Sequence, residues 1–235
     1  VRMAKKVSEV VVATTTASSD SAIDAFCKTH SISAIRGSEE DVLDRFYTAA
    51  KQHKADVIVR ITADCPLLDP KIIDQAVAEF EKGQHDYVST VEKYTYPDGL
   101  DTEVFSFSAL ECAWKEAKKS SEREHVTPYI RNTSKFKKLN IENKKDLSSR
   151  NFHWSVDNPC DLEFVRKVYS KLPENFGLWD IVDLVDANPD LQKINSNQIV
   201  NEGYYKSLYK EAKDQLTKKG RTVAKSLSLL ERAHK

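Results

Sequence analysis

The pattern of apolar and polar residues in the first eighty positions predicts short strands that alternate with longer helices. Three apolar, β-branched runs are typical of strands buried on both faces of a sheet, at residues 9–15, 31–36 and 56–62. Three stretches space their apolar residues at helical intervals, at residues 20–30, 39–54 and 70–80. This order is the signature of right-handed βαβ units, so we predict an α/β fold with a mostly parallel, Rossmann-like sheet.

The second half of the chain has a less regular pattern. It predicts strands at residues 86–90, 102–107, 138–142 and 152–156. It predicts helices at residues 108–119, 122–131 (interrupted near Pro128), 161–171 and 179–188. From residue 201 the chain is polar, Lys-rich and helical, with a break at 219–221. We therefore expect one domain at 1–200, followed at 201–235 by a helical linker or the start of a fused domain.

Composition narrows the kind of protein. Thirty-six basic residues balance 36 acidic ones, so no overall positive field indicates a nucleic-acid partner. The four cysteines are widely spaced, which favours free thiols in a reducing cytoplasm over a zinc site or disulfides. No apolar run reaches the roughly 20 residues that span a bilayer, and nothing resembles a signal peptide. We expect a cytoplasmic protein without membrane or nucleic-acid partners.

Candidate chemistry begins at the loop after the third strand, where Asp64 lies. Ligands of open parallel sheets bind beyond the carboxyl ends of the strands, and a carboxylate there can hold Mg²⁺. The residue can equally cap the turn that leads to Pro66. Arg60 lies inside the apolar strand, where a charge needs a partner, so it either pairs with a buried acid or binds phosphate.

A second acidic cluster follows the predicted strand at 152–156. Asp157 can complete a metal site with Asp64, while Asp161 is placed to cap the next helix. Two unrelated helix caps would give the same spacing.

Two further segments carry polar groups suited to a sugar. Asp98, Asp101 and Glu103 can accept hydrogen bonds from sugar hydroxyls, or they can form the solvated face of an edge strand. Arg123 and His125 can bind a carboxylate or phosphate, although a lone histidine is more often structural.

Four segments together resemble one family. They are residues 60–70 (RITADCPLLDP), 98–105 (DGLDTEVF), 123–129 (REHVTPY) and 154–163 (WSVDNPCDLE). In order and spacing they are similar to the cytidylyltransferases typified by spore coat polysaccharide biosynthesis protein F, relatives of the CMP-Kdo and CMP-acylneuraminate synthetases. The resemblance covers roughly residues 1–200. It implies the nucleotide-diphospho-sugar transferase fold, a three-layer α/β sandwich.

The resemblance also implies an activity and a set of site residues. CMP would pass from CTP to an acidic sugar, with release of pyrophosphate, in surface polysaccharide or glycan biosynthesis. Mg²⁺ would be the cofactor, held by Asp64 and Asp157, and Arg60 and Asp64 would be catalytic. The sugar side would be formed by Asp98, Asp101, Glu103, Arg123 and His125. Relatives are often dimers, so a homodimer is one expectation.

The two ends of the sequence depart from the family pattern. The family normally begins with a strand and a loop carrying Gln-Ala-Arg, Ser-Arg-Leu-Pro and a lysine, whereas residues 1–7 read as the end of the helix that follows. Either the chain is trimmed or the protein lacks half of its nucleotide site, and we expect these residues by themselves to bind CTP weakly and turn over slowly. Residues 221–235 resemble the opening helix of class III aminotransferases, which indicates a fused domain, or else an ordinary amphipathic terminal helix.

Two other functions fit the same residues. A glycosyltransferase that uses a nucleotide sugar can share this fold and hold a metal through acids at strand ends. A non-catalytic domain that has lost its nucleotide loop is the other alternative.

Overall fold

Strands and helices alternate through the first eighty residues, as predicted. The computed structural model of the protein describes residues 1–196 and 203–217. The strands are β1 (Val11–Thr15), β2 (Ser33–Gly37), β3 (Val57–Arg60), β4 (Tyr87–Ser89), β5 (Glu103–Ser106) and β6 (Lys138–Asn140). The helices are α1 (Ser21–Thr29), α2 (Val42–Gln52), α3 (Pro70–Phe80), α4 (Phe107–Glu116), α5 (Ser120–His125), α6 (Pro128–Asn132), α7 (Pro159–Lys171), α8 (Leu178–Ala187) and α9 (Pro189–Lys193). Residues 203–217 are also helical.

Short polar side chains fix where the helices begin. Asp69 precedes α3 and accepts a hydrogen bond from the Lys71 backbone N–H at 2.8 Å, while Pro70 fills the first helical position. Ser106 ends β5 and caps α4 through the Ala109 backbone N–H at 3.1 Å. Ser106 is both the last residue of β5 and the N-cap of α4, so the helix follows the strand without a loop.

The strands form two sheets within the described residues. β1 pairs with β2 in parallel. The second sheet has the order β3-β5-β4-β6, in which β4 and β6 are parallel and β5 runs antiparallel to both β3 and β4. Helix α2 contacts β1 and β2 as well as α4 and α5, so it connects the two sheets.

Helices cover both faces of the four-stranded sheet, which confirms the three-layer α/β sandwich. Neighbouring strand residues point to opposite faces. Val88 and Val104 enter a core with α3, α7 and α8, whereas Tyr87 and Phe105 enter a second core with α2, α4 and α6. The buried Trp154 belongs to the first core, and it comes from a loop.

Two local predictions are wrong. Residues 152–156 do not form a strand: a single bridge joins His153 to Asp98, and the pairing stops because the chain turns at Gly99, whose φ is +94°. Residues 1–7 form turns and no helix. The Asp74 carboxylate accepts hydrogen bonds from the backbone N–H groups of Lys5 and Lys6 and so holds this segment against α3.

The predicted interruption near Pro128 is confirmed, and the residue that makes it is Val126. Its φ of 70° and ψ of −57° are those of a γ-turn, in which the Thr127 N–H donates to the His125 carbonyl at 2.8 Å. The turn separates α5 from α6. The predicted break at 219–221 lies outside the described residues.

Replacing Gly99 by alanine should destabilise the fold strongly. A Cβ there would lie 2.6 Å from backbone atoms of Trp154 and Ser155, and the positive φ is unfavourable as well. We expect about 1–2 kcal/mol from the conformation and a further ~1–3 kcal/mol from the clash, measured by urea denaturation.

Gly83→Ala is the matched control. Gly83 also has a positive φ, 71°, but no atom lies within 4 Å of the added carbon. Gly83→Ala should lower the free energy of unfolding only by the conformational part. An equal loss of stability in the two variants would contradict the close approach at Gly99.

Candidate active site

A cavity of about 520 Å³ lies at the carboxyl ends of the parallel strands of the larger sheet. β3 ends there at Arg60, and the antiparallel β5 begins there at Glu103, its register partner. This edge of the sheet is where open α/β folds bind ligands. Of the predicted site residues, the cavity brings together Arg60, Asp64, Asp98, Asp101, Glu103, His125 and Asp157.

Glu103 is a buried carboxylate held by three neighbouring elements. Its side chain is 2% exposed, and it accepts hydrogen bonds from Arg60 of β3 and from the hydroxyls of Tyr87 (β4) and Thr127, the latter at 2.6 Å. Burial raises the pKa of Glu103, but Arg60, Arg131 and the two hydroxyls outweigh burial and bring its pKa below the usual value. Glu103 therefore carries its charge inside the protein and anchors the floor of the cavity.

Asp101 lies two residues earlier and has the opposite character. Burial raises its pKa, and the negative charges of Asp98, Glu103 and Asp64 raise it further against the effect of Arg60, to about 8. Its carboxyl group accepts no hydrogen bond from the described part of the chain. Asp101 thus faces the cavity with free hydrogen-bonding capacity.

His153 connects two acidic parts of the wall. Its side chain is 4% exposed, with Nδ1 2.8 Å from Asp98 and Nε2 3.2 Å from Asp157. The contact with Asp98 is an ion pair, and Nδ1 has no hydrogen-bond partner in the described residues. Burial lowers the pKa of His153, but Asp98, Asp161 and Asp157 outweigh burial, and the pKa is raised. The imidazole therefore favours its protonated form and orients both acids.

Asp161 lies in the same cluster but has a structural role. His153, Asp157 and Asp161 offer ligand atoms within 4.8 Å of one another, a spacing that can hold a metal ion. Both oxygens of Asp161 are already occupied, because one accepts from the N–H groups of Asp157 and Asn158 and the other from Asn195. Asp161 closes the capping box at the start of α7, as its predicted capping role implies.

Asp64 and Asp157 lie on adjoining loops, and both side chains are exposed. The Val156 N–H donates to the Asp64 carbonyl at 2.8 Å, which ties the two loops together. Two accessible carboxylates at one edge of a cavity fit the oxygen ligands that Mg²⁺ prefers. This donor set suits a hydrated cation that shares its coordination with phosphate.

Another part of the cavity wall is formed by His125, Arg131 and helix 203–217. His125 Nε2 lies 3.0 Å from Ser207 Oγ, and its ring meets Tyr204 edge-on at 5.1 Å. Burial lowers the pKa of His125. The guanidinium of Arg131 lies over the Tyr204 ring, 5.6 Å from its centre. Residues predicted as a helical linker or the start of a fused domain thus contribute side chains to the cavity.

Arg123 does not line the cavity. Its guanidinium pairs with Asp41 through contacts of 2.6–3.1 Å and donates to the Trp114 carbonyl at 2.7 Å. Because Asp41 also caps α2 through the Asp44 N–H, Arg123 fastens α5 to the start of α2.

His153, Arg131 and Tyr204 are among the residues of the cavity wall that sequence reasoning missed. His153 precedes Asp157 by four residues, and Arg131 follows His125 by six, so both lay beside predicted site residues. Tyr204 gave no signal, because its segment is polar and far along the chain from the other wall residues.

The fold and the cavity define an α/β protein that binds its ligand at the ends of the sheet strands, and comparison with known proteins identifies the family. The model of the cytidylyltransferase family matches residues 1–178. The chain therefore belongs to the cytidylyltransferases, nucleotidyltransferases that use CTP.

Two curated proteins are similar over most of the chain. An uncharacterised protein of Methanocaldococcus jannaschii is 42% identical over 202 residues, 83% of this chain and 80% of that protein. Spore coat polysaccharide biosynthesis protein SpsF of Bacillus subtilis is 30% identical over 190 residues, 77% of this chain and 76% of that protein.

Solved structures agree with the fold. A cytidylyltransferase from Leptospira borgpetersenii superposes with a TM-score of 0.73 at 33% identity, covering 82% of this chain and 81% of that one. A CMP:2-keto-3-deoxy-manno-octonic acid synthetase solved with CTP gives a TM-score of 0.51 at 14% identity, over 72% of this chain and 84% of that one, and this likeness shows the shared fold. No helix in the described part of the chain is long and apolar enough to cross a membrane.

Asp101 should titrate near pH 8 when divalent cations are removed with a chelator. Its raised pKa means that the folded protein holds a proton that the unfolded chain releases above about pH 4. The free energy of unfolding should therefore fall as the pH rises from about 4 to about 8, and Asp101→Asn should reduce this slope. Carboxyl carbon NMR measures the titration directly. A resonance that disappears in Asp101→Asn but titrates near pH 4 in the unaltered protein would contradict the assignment.

Proposed function

We propose that this cytidylyltransferase transfers CMP from CTP to a hydroxyl of an acidic sugar, with Mg²⁺, in the biosynthesis of a surface polysaccharide or glycan. The observation that carries the proposal is the arrangement of the cavity. Two accessible carboxylates, Asp64 and Asp157, lie at one edge, and a wall of further acids, Asp98 and Asp101, adjoins them. The relatives support the sugar as acceptor, since one acts in spore coat polysaccharide synthesis and a structural neighbour uses an octonic acid.

In the proposed reaction the sugar hydroxyl attacks the α-phosphorus of CTP. The new bond joins the sugar oxygen to that phosphorus, the bond to the β-phosphate oxygen breaks, and pyrophosphate leaves. The hydroxyl proton goes to a base. Asp101 suits this role because its pKa of about 8 lies near neutral and its carboxyl group has no competing hydrogen bond within the described chain.

The other residues position the reactants. Asp98 is fixed by His153 and offers its second oxygen to a sugar hydroxyl. Arg60 is paired with Glu103, and its buried Nε has no hydrogen-bond partner in the described residues, so it can donate to a ligand from a fixed position. Asp64 and Asp157 would hold the cation, which when bound supplies positive charge that stabilises the phosphates.

The remaining expectations stay predictions. The four cysteines are free thiols, which supports the proposed cytoplasmic location. A homodimer is proposed as the assembly. The aminotransferase-like residues 221–235 lie outside the described residues, and a fused domain there is likewise a proposal.

Removing either proposed metal ligand should abolish most of the activity. With full-length protein, CTP, Mg²⁺ and sugar acids, we expect Asp64→Asn and Asp157→Asn each to lower pyrophosphate release by at least about 100-fold, because the cation loses a charged ligand. Mn²⁺ binding followed by electron paramagnetic resonance should weaken in both variants.

Asp190→Asn serves as the control, since Asp190 is an exposed acid at the start of α9 that pairs with the neighbouring Lys193. It should keep full activity. Undiminished pyrophosphate release by the Asp64 and Asp157 variants would contradict the metal site. If the protein transferred sugar from a preformed nucleotide sugar and released no pyrophosphate from CTP, it would be a glycosyltransferase and the proposed reaction would be wrong.

A further inference from the structure

We propose that Arg131, together with Tyr204 of helix 203–217, forms the subsite that binds the carboxylate of the acidic sugar. The inference rests on the proposed function for the identity of the substrate. It makes helix 203–217 a wall of the substrate site and assigns specificity for an acid to one residue.

The guanidinium of Arg131 is available to a ligand. It lines the cavity, its Nε is buried without a hydrogen-bond partner, and no hydrogen bond joins the group to another residue in 1–196 or 203–217. A buried donor left without a partner is costly, so such a group in a binding cavity indicates an acceptor that arrives with the ligand.

The nearest acid does not satisfy this arginine. Glu103 attracts Arg131 electrostatically, but its oxygens already accept hydrogen bonds from Arg60, Tyr87 and Thr127. Arg131 therefore keeps the bidentate donor face that matches a carboxylate.

Helix 203–217 holds the arginine in place. Tyr204 lies against the guanidinium and also meets His125 edge-on. The helix is fastened by Ser207 to His125 and by Glu211, which accepts a hydrogen bond from the Ser121 hydroxyl at 2.5 Å. A guanidinium stacked on a fixed ring loses little freedom when it binds, so the subsite is preorganised.

A sugar carboxylate and a CTP phosphate are both anions that Arg131 could bind, and its position favours the carboxylate. Its charged neighbour is Glu103, and the neutral ring of Tyr204 lies beside it. The proposed metal ligands Asp64 and Asp157, which would mark the triphosphate end, lie on two loops joined by the hydrogen bond from the Val156 N–H to the Asp64 carbonyl. Arg131 comes from α6 and lies against helix 203–217, so it belongs to other elements than the proposed metal ligands.

Kinetics with acid and ester substrates test the subsite. We use full-length protein with 2-keto-3-deoxy-manno-octonic acid or N-acetylneuraminic acid, and their neutral methyl esters, as probes. Arg131→Met should raise the KM for the acid about 10–100-fold and leave the KM for CTP within about twofold. The preference for acid over ester should fall from at least about tenfold to near unity, a change that a merely structural role would not produce. Arg131→Lys should recover part of the preference.

Two matched variants control for the loss of a side chain. Arg166→Met removes an exposed arginine of α7 and should change neither KM. Tyr204→Leu should raise the KM for the acid about three- to tenfold, because the stacked ring is lost, whereas Tyr209→Leu, on an exposed part of the same helix, should not. An unchanged acid-to-ester preference in Arg131→Met would overturn the proposal.

A binding measurement separates this proposal from the proposed function. In the unaltered protein, the Arg131 Nε–H resonance, identified by its loss in Arg131→Lys, should shift when either sugar acid is added and stay unchanged with CTP and Mg²⁺. A shift with CTP alone would assign Arg131 to phosphate, and no shift with any probe would leave it structural; both overturn the subsite. Absence of pyrophosphate release in all mixtures would contradict the proposed reaction, while a shift with sugar acid would still support the subsite.

Discussion

The ionised carboxylate of Glu103 inside the protein is the constraint on which the site depends. A buried charge is costly unless it is paired and hydrogen-bonded. Glu103 meets that requirement with Arg60 from β3, Tyr87 from β4 and Thr127 from the start of α6. These contacts fix the β3-β5-β4 register at the cavity and hold the chain where α5 ends. Removing any one partner would affect the floor of the cavity as well as the sheet.

The same cluster contains a second acid with the opposite protonation. Glu103 and Asp101 are two residues apart, yet the pKa of Glu103 is lowered and that of Asp101 is raised to about 8. The difference follows from their neighbours. Two arginines and two hydroxyls stabilise the charged form of Glu103, whereas Asp101 lies mainly near other acids. A proton on Asp101 relieves the repulsion among these acids until a positively charged or hydrogen-bonding ligand takes its place.

Local sequence patterns were sufficient for most of the fold. β-branched runs gave the strands of the first half, and Pro70 after Asp69 gave the start of α3. Residues 152–156 show the limit, because their composition suits a strand but the segment opposite them turns at Gly99.

The site was predictable only where its residues follow strand ends. Arg60 and Asp64 lie at such an end, so sequence placed them at the cavity. Arg123 looked like a ligand-binding residue, but it pairs with Asp41, 82 residues earlier, and no local pattern encodes that pairing. Arg131 and Tyr204 are also far apart in the chain, so no local pattern indicates their contact either.

The γ-turn at Val126 lowers the stability of the fold but positions residues of the cavity. A β-branched residue with positive φ costs on the order of 1–3 kcal/mol and persists only when its surroundings enforce it. Here burial of the Val126 side chain and the bond from Thr127 to Glu103 enforce it. The turn places His125 and Thr127 on the same wall. Val126 is buried and is not one of the residues that line the cavity, so a substitution that relaxes its backbone would stabilise the fold and change the site only by shifting His125 and Thr127.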